Sequence, residues 1–314
     1  MATTTSITTT YAGEFAGKYI SAALLSASTI ENGGITVKPN VKFKEVMKKL
    51  STDALLKDAT CDFDPTSTIT LTERILQPEE FQVNLQLCKK DFVSDWEAIS
   101  MGYSAFDNLP PSFQDFLVAH VAAKVAEKTE QTIWSGTNAT AGEFDGFTVS
   151  MLADSDVNDA SNGTETSFTS SNIVTLLSNV VDSIPNAVYG KEDLKIYVPP
   201  VAWQAYIRHL GGYGANGLGA AGYDSKGNQW WNNNASLSFE GIELLYTPGM
   251  PTDHIVAGQK SNLYFGTGLL SDINEVKVLD MADLDGSQNV RVVMRFTAGV
   301  QYGIGSDLVL LTLA

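Results

Sequence analysis

Apolar positions along this chain change their spacing several times, and each change marks an element. After a threonine-rich start without lysine or arginine, Tyr11, Phe15, Tyr19/Ile20 and Leu24 recur at helical intervals, and Asn32-Gly33-Gly34 closes the pattern. Phe43, Val46, Met47 and Leu50 repeat the i, i+3, i+4, i+7 spacing, which predicts a second short helix. The period then drops to two. Thr68 to Thr72 alternates and Phe81 to Leu87 alternates more cleanly, so this stretch reads as the two strands of one extended β-hairpin.

The strongest helical pattern runs from Ser112 to Ser135. Pro110-Pro111 stops whatever precedes it, and Ser112 with Asp115 offers an N-cap and an acidic partner three residues on. Phe113, Phe116/Leu117, Val121, Val125 and Ile133 line one side, and Gly136 supplies a stop. Residues 140–170 hold six acids and no basic residue, a loop-rich stretch. Ile173, Leu176, Leu177, Val180, Val181 and Ile184 then form an amphipathic stripe broken at Pro185. Leu194 to Val198 reads as a buried strand, Val201 to Leu210 as a helix with Pro200 suited to its first turn, and 211–227 as a glycine-rich loop. Strands are expected at 241–246, 254–257, 263–265, 275–279, 290–296 and 307–313. The order is α+β, without the βαβ rhythm of a doubly wound sheet.

Composition narrows the possibilities. Hydrophobic residues make up 44% of the 314 and charged residues 18%, enough apolar surface to offset the ordering entropy of a folded chain. The net charge of −16 argues against an ordinary nucleic-acid binder, which needs clustered lysine and arginine to neutralise phosphates. No stretch reaches the roughly 18 uninterrupted apolar residues of a membrane helix, and the N-terminus lacks the basic-then-apolar plan of a secretory signal. Cys61 and Cys88 cannot make a disulfide framework; one bridge between them stays open, with two reduced thiols the favoured reading. One asymmetry stands out: between Val37 and Asp58 six lysines, Lys42, Lys44 and Lys48 among them, face only three acids. On charge alone that is a solvated face, or else a basic arm seeking an acidic neighbour.

Candidate chemistry is thin. Gly212 to Gly217 matches G-x-G-x-x-G, but a helix precedes it and no helix follows at once, so the dinucleotide context is missing. Asp154-Ser155-Asp156-Val157-Asn158 resembles the start of a calcium loop but lacks the sixth-position glycine and the distal glutamate. The three histidines, His120, His209 and His254, sit in no zinc-binding spacing, and no Gly-x-Ser-x-Gly elbow is present. No catalytic, cofactor or metal residue is nominated.

The sum of these parts resembles the major capsid protein of tailed bacteriophages, the HK-ninety-seven-like fold shared with encapsulins. Phe116 to Gly136 (FLVAHVAAKVAEKTEQTIWSG) is similar to that family's spine helix, and Gly142 to Phe147 to the turn behind it. Leu194 to Leu210 (LKIYVPPVAWQAYIRHL) resembles the axial-domain strand and helix, and Val290 to Leu311 the closing strand pair. Thr72 to Phe92 is similar to the far side of the extended loop. The resemblance implies an N-terminal arm (1–50), an extended β-hairpin loop (51–90), a peripheral domain (91–168) with its spine helix at 112–135, an axial domain (169–272) and a C-terminal β segment (273–314).

It also implies a subunit that assembles into the pentamers and hexamers of an icosahedral shell in the host bacterial cytoplasm. Such a shell encloses double-stranded DNA by containment and needs no enzyme activity, cofactor or membrane. No scaffolding domain is recognised ahead of the arm, so a separate scaffold protein and a portal are the expected partners. No motif maps the family's cross-linking residues, and none is assigned. The expected inter-subunit residues are Tyr11, Phe15 and Tyr19 in the arm, Lys42, Lys44 and Lys48 in the basic segment, Ile69, Leu71, Ile75, Phe81 and Val83 in the hairpin, and Tyr213, Trp230 and Trp231 at the capsomer centre. An encapsulin-like compartment, an acidic hydrolase with an unrecognised carboxylate pair and, more weakly, a tail-tube protein remain the alternatives.

Overall fold

Where the apolar spacing is helical over seven turns, a 25-residue helix forms. The structure, a computed structural model, describes residues 28–52, 56, 58, 61, 68–88, 111–161, 163–211, 237–268, 277–282 and 286–314. Its opening elements are a one-turn helix α1 (Ser28–Glu31) and strand β1 (Thr36–Lys38). Next come β2 (Glu45–Thr52), β3 (Ile69–Leu76), β4 (Glu79–Cys88) and the long helix α2 (Pro111–Ser135), about 37 Å from end to end. Helix α2 begins at Pro111, which places Ser112 inside the first turn instead of capping it.

The end of α2 is built by two glycines back to back. The Gly136 N–H reaches the Thr132 carbonyl at 3.1 Å, and the Gly146 N–H reaches the Gly136 carbonyl at 2.9 Å. A Cβ on Gly136 would lie 2.5 Å from the Phe144 carbonyl oxygen, and one on Gly146 would lie 2.6 Å from that of Trp134. Only glycine lets the returning turn close so tightly. That turn drops Phe144 and Phe147 into the core beside Trp134, whose ring lies 5.5 Å from Phe147. It also starts α3 (Phe147–Leu152), a helix inside the stretch expected to be loop; six residues are too few for a periodic signal.

The rest of the chain alternates between two sheets. Strand β5 (Asn158–Asp159), helix α4 (Ile173–Asp182), strand β6 (Leu194–Val198) and helix α5 (Pro200–Gly211) are followed by β7 (Ser238–Phe239) and β8 (Ile242–Tyr246). Then come β9 (His254–Gln259), β10 (Leu263–Gly266), β11 (Lys277–Asp280), β12 (Asn289–Tyr302) and β13 (Val309–Thr312). One sheet has the order β5-β13-β9-β6-β8-β7. The other runs β1-β10-β12-β11, with β4 also paired to β12.

The six-stranded sheet is buried on both faces, which explains its near-continuous apolar strands. Leu194, Ile196 and Val198 of β6 face one core with Ile173, Leu176, Leu177 and Val180 of α4 and Ala202, Ala205 and Tyr206 of α5. Between them, Tyr197 points to the opposite core, shared with Trp134, Phe147, Met151, Phe265 and Tyr302. In the other sheet, Val290 and Val292 of β12 meet Val121 of α2, with Val83, Leu87 and Val125 packed alongside. This alternation is the period-two signal that predicted the strand.

Three expectations are corrected. Residues 43–50 form no helix: Glu45–Thr52 is a strand, because Val46, Lys48, Leu50 and Thr52 meet Ile75, Glu73, Leu71 and Ile69 in register. Consequently β3 pairs with β2, and the expected hairpin between residues 68–72 and 81–87 does not exist. Strand β4 instead pairs with β12 over ten residues, from Asn289↔Cys88 to Ala298↔Glu79. The closing strands β12 and β13 belong to different sheets. The Tyr11–Leu24 helix and the 212–227 part of the glycine loop lie outside the described residues, while Gly33, at a positive φ of 62°, follows the end of α1 as expected. Both cysteines are free.

Candidate assembly interface

The β2–β3 ribbon is turned inside out. Its register puts Val46, Lys48, Leu50 and Thr52 on one face with Ile75, Glu73, Leu71 and Ile69, and the apolar members of that face lie in solvent. Leu50 is 63% exposed, Leu71 58% and Ile69 67%. Phe43 and Leu56, at either end of β2, are exposed as well. The other face carries Met47, Lys49, Arg74 and Leu76, and this partly polar side is the one turned to the body. Exposed large apolar side chains scattered singly need no explanation, but a contiguous row on one ribbon marks an interaction surface.

A charged latch holds the ribbon in this orientation. Arg74 pairs with Asp154, its guanidinium 4.4 Å from the centre of the Tyr302 ring. Tyr302 donates its hydroxyl to the same Asp154 oxygen at 2.8 Å, and the Asp156 N–H bonds the other at 3.1 Å. Lys49 reaches Ser306 at 3.3 Å, a second polar contact from the same face. Leu76, fully buried, is the apolar pin at the ribbon's foot. The aspartates of the calcium-like stretch are therefore put to use as a docking point for an arginine.

Burial alone would push the Asp154 carboxyl up, but the bonds from Asp156, Tyr302 and Arg74, with the arginine charge, outweigh it and hold the group below its ordinary 3.8. Such a depressed group contributes stability above its unfolded pKa and loses that contribution as pH falls through the folded value. Asp154→Asn should weaken the latch at neutral pH by roughly 1–3 kcal/mol. Hydrogen exchange across residues 45–52 and 69–76 should rise in that variant at pH 7 and in the wild type only below about pH 3.8. Equal exchange in the two proteins at pH 7 would refute the latch.

The sequence-nominated residues separate into three groups. Ile69, Leu71, Ile75 and Lys48 come together on the ribbon's outer face, with Lys42 and Lys44 exposed just before it. Phe81 and Val83 are not on the ribbon: they are half-buried on β4, where Phe81 meets Phe296 at 5.7 Å and Phe144 at 6.0 Å. These rings, with Val83, Val125 and Gly142, border a groove of about 120 Å³, enough for one aliphatic side chain. Tyr11, Phe15, Tyr19, Tyr213, Trp230 and Trp231 lie outside the described residues. Sequence reasoning missed Val46 and Leu50, although the alternation Val46, Lys48, Leu50, Thr52 was there to be read. Met47 disguised it by completing a helical spacing. Two histidines are used locally, His209 Nδ1 lying 2.7 Å from the Ser170 carbonyl and His254 Nδ1 2.7 Å from Asp253.

Comparison with known proteins places this geometry. No family model and no curated protein sequence matches the chain. Solved structures do. A chain from the capsid of the native GTA particle is similar with a TM-score of 0.61 at 14% identity, over 94% of this chain and 93% of that one. A chain from Gordonia phage Cozz gives 0.60 at 11%, covering 97% and 92%. A chain from the capsid of Myoviridae phage XM1 gives 0.59 at 12%, covering 94% and 95%. Over more than nine-tenths of its length, the α+β architecture is thus the fold of these phage and particle capsids.

Proposed function

We propose that this chain is a major capsid protein, the repeating subunit of a closed icosahedral shell built from pentamers and hexamers. The observation that carries the reading is the inside-out ribbon: a fold shared with capsid chains presents a row of exposed apolar side chains on one ribbon face. Assembly then buries Val46, Leu50, Ile69, Leu71 and Ile75 against a second copy. Phe81 and Val83, beside their groove, are part of the receiving side. Lys42, Lys44 and Lys48 meet the acidic surface of a neighbour, as the net charge of −16 favours. Tyr11, Phe15 and Tyr19 extend the contact as an arm, and Tyr213, Trp230 and Trp231 close the capsomer centre. In domain terms, 1–50 is the arm, whose last strand β2 pairs into the extended loop of 51–90, while β4 at the end of that loop joins the body sheet; 91–168 is the peripheral domain, 169–272 the axial domain and 273–314 the closing β segment.

The function on this reading is mechanical, with no turnover. Double-stranded DNA is held by containment, since an acidic wall does not adhere to phosphates across a screened gap. A separate scaffold protein and a portal act with the shell, which is assembled in the bacterial cytoplasm and ends in the virion. The mass of the purified protein, by light scattering with negative-stain microscopy, tests the proposal. Masses at or above a pentamer of the 33.8 kDa chain, or closed particles, are expected. A compact monomer that never assembles would overturn it.

A further inference from the structure

Among the described residues, Glu130 is the fully buried carboxylate, with no exposed surface. It stands on α2 one turn before Trp134. Thr29 of α1 donates its N–H to Oε2 at 3.1 Å, and the Thr29 hydroxyl bonds Oε1. Trp134 Nε1 donates to that same hydroxyl oxygen at 2.9 Å. The turn carrying Gly249 is seated on the helix: a Cβ at Gly249 would lie 2.2 Å from the Glu130 carbonyl oxygen. One carboxyl thus joins α1 to the long helix, at the place where the turn between β8 and β9 packs on that helix.

Among the described residues, no cation pairs with this group. On α2, Glu127 and Lys128 face outward and pair with Lys124 and Glu143. Glu31 of α1 is exposed, and the 247–250 turn is uncharged. Beyond that turn, Asp253 and His254 pair with each other. Tyr197, whose ring lies 5.1 Å from Trp134, donates its hydroxyl to the Gly34 carbonyl.

We infer that Glu130 is a proton-operated clasp that fastens α1 to the long helix, tight when its carboxyl is protonated and looser when it is ionised. Both protonation states can bond Thr29. The ionised group accepts from the Thr29 N–H and O–H. The protonated group still accepts the N–H, and its own O–H can donate to the second lone pair of the Thr29 oxygen beside the Trp134 bond, the Thr29 hydroxyl hydrogen then turning away from Oε1. Only the ionised state leaves an unneutralised charge in an apolar core, and that state is the costly one. Burial accordingly drives the Glu130 carboxyl above its ordinary 4.5, and the Thr29 bonds, with the nearby N–H groups of Gly249 and Trp134, offset only part of the rise. A group raised in this way contributes fully below its unfolded pKa, and the contribution is lost as pH climbs through the folded value. Alkaline conditions, not acid ones, loosen the clasp.

The clasp belongs to the folded chain and does not depend on what the chain assembles into. Hydrogen exchange of the 28–35 segment in the full-length protein, expressed as protection relative to the intrinsic rate, tests it at pH 5 and pH 8. Wild-type protection should fall severalfold from pH 5 to pH 8. In Glu130→Gln the fall should vanish, because the amide accepts the Thr29 N–H and donates to the Thr29 oxygen at every pH. Thr29→Val, which keeps the backbone N–H and the titrating acid, should show lower protection at both pH values and retain the fall. It serves in the event that Glu130→Gln does not fold. Equal wild-type protection at the two pH values, a fall that survives in Glu130→Gln, or wild-type protection in Thr29→Val would each overturn the clasp.

Discussion

Leu50→Asp combined with Leu71→Lys is expected to abolish particle formation while leaving the subunit folded. The two positions face each other across the ribbon, so the new charges are of opposite sign and keep the strands paired. Both leucines lie mostly in solvent in the isolated chain, and exposed substitutions of this kind alter fold stability little. Covered by a neighbour, each leucine would contribute about 1.5–3 kcal/mol. Losing both weakens every ribbon contact by roughly two to four powers of ten, and a closed shell repeats that contact at each subunit. Sedimentation velocity beside a thermal melt separates the outcomes. An unchanged melt with only small species supports the ribbon as the principal contact, whereas particles at the wild-type concentration would remove it from that role.

The largest effect on the fold itself is expected at Trp134. Its side chain is fully buried, packs on Phe147 and Tyr197, and supplies the N–H that anchors the Thr29 hydroxyl. Trp134→Ala leaves a cavity at the junction of α2, the returning turn and the six-stranded sheet. It should cost about 3–5 kcal/mol, read as a lowered urea midpoint with an unchanged slope. Trp134→Phe, which keeps most of the ring and loses only the donor, should cost roughly 1 kcal/mol. A loss of similar size in both variants would mean that the hydrogen bond, not the packing, is what Trp134 contributes.

How far the sequence could be read depended on what decides each element. The long helix, α4 and the buried strands β6, β9 and β13 were legible because burial on defined faces writes a period directly into the chain. The ribbon was only half legible. Its apolar row is exposed in the subunit, so no intramolecular core disciplines its spacing, and Phe43, Val46, Met47 and Leu50 satisfied a helical template by chance. Strand pairing was illegible for another reason. Alternation reveals that residues 69–76 and 79–88 are strands, but the partner of each lies elsewhere in the sequence, and adjacency suggested a hairpin that the fold does not make. Of the candidate interface, the charge and the residues of β3 were foreseen. The latch of Arg74, Asp154 and Tyr302 was not, because its members are 80 and 148 residues apart and no local motif joins them.

The ribbon's pairing carries one more consequence. Among the described residues, β2 and β3 pair only with each other, so no strand lies along either outer edge of the ribbon, and at the foot of β3 the Ile75 carbonyl accepts from Gln301 at 3.3 Å. A ribbon with open edges and an apolar face is a template for indiscriminate strand addition, the route to amorphous precipitate and fibrils. Lys48 on the outer face of β2, with Lys42 and Lys44 ahead of it, places positive charge there of the kind that discourages unplanned strand addition. Two such edges approaching each other bring like charges together, while an acidic partner surface does not. The same positive charge that would steer a correct neighbour thereby keeps freshly made chains from sticking to one another while they wait for it.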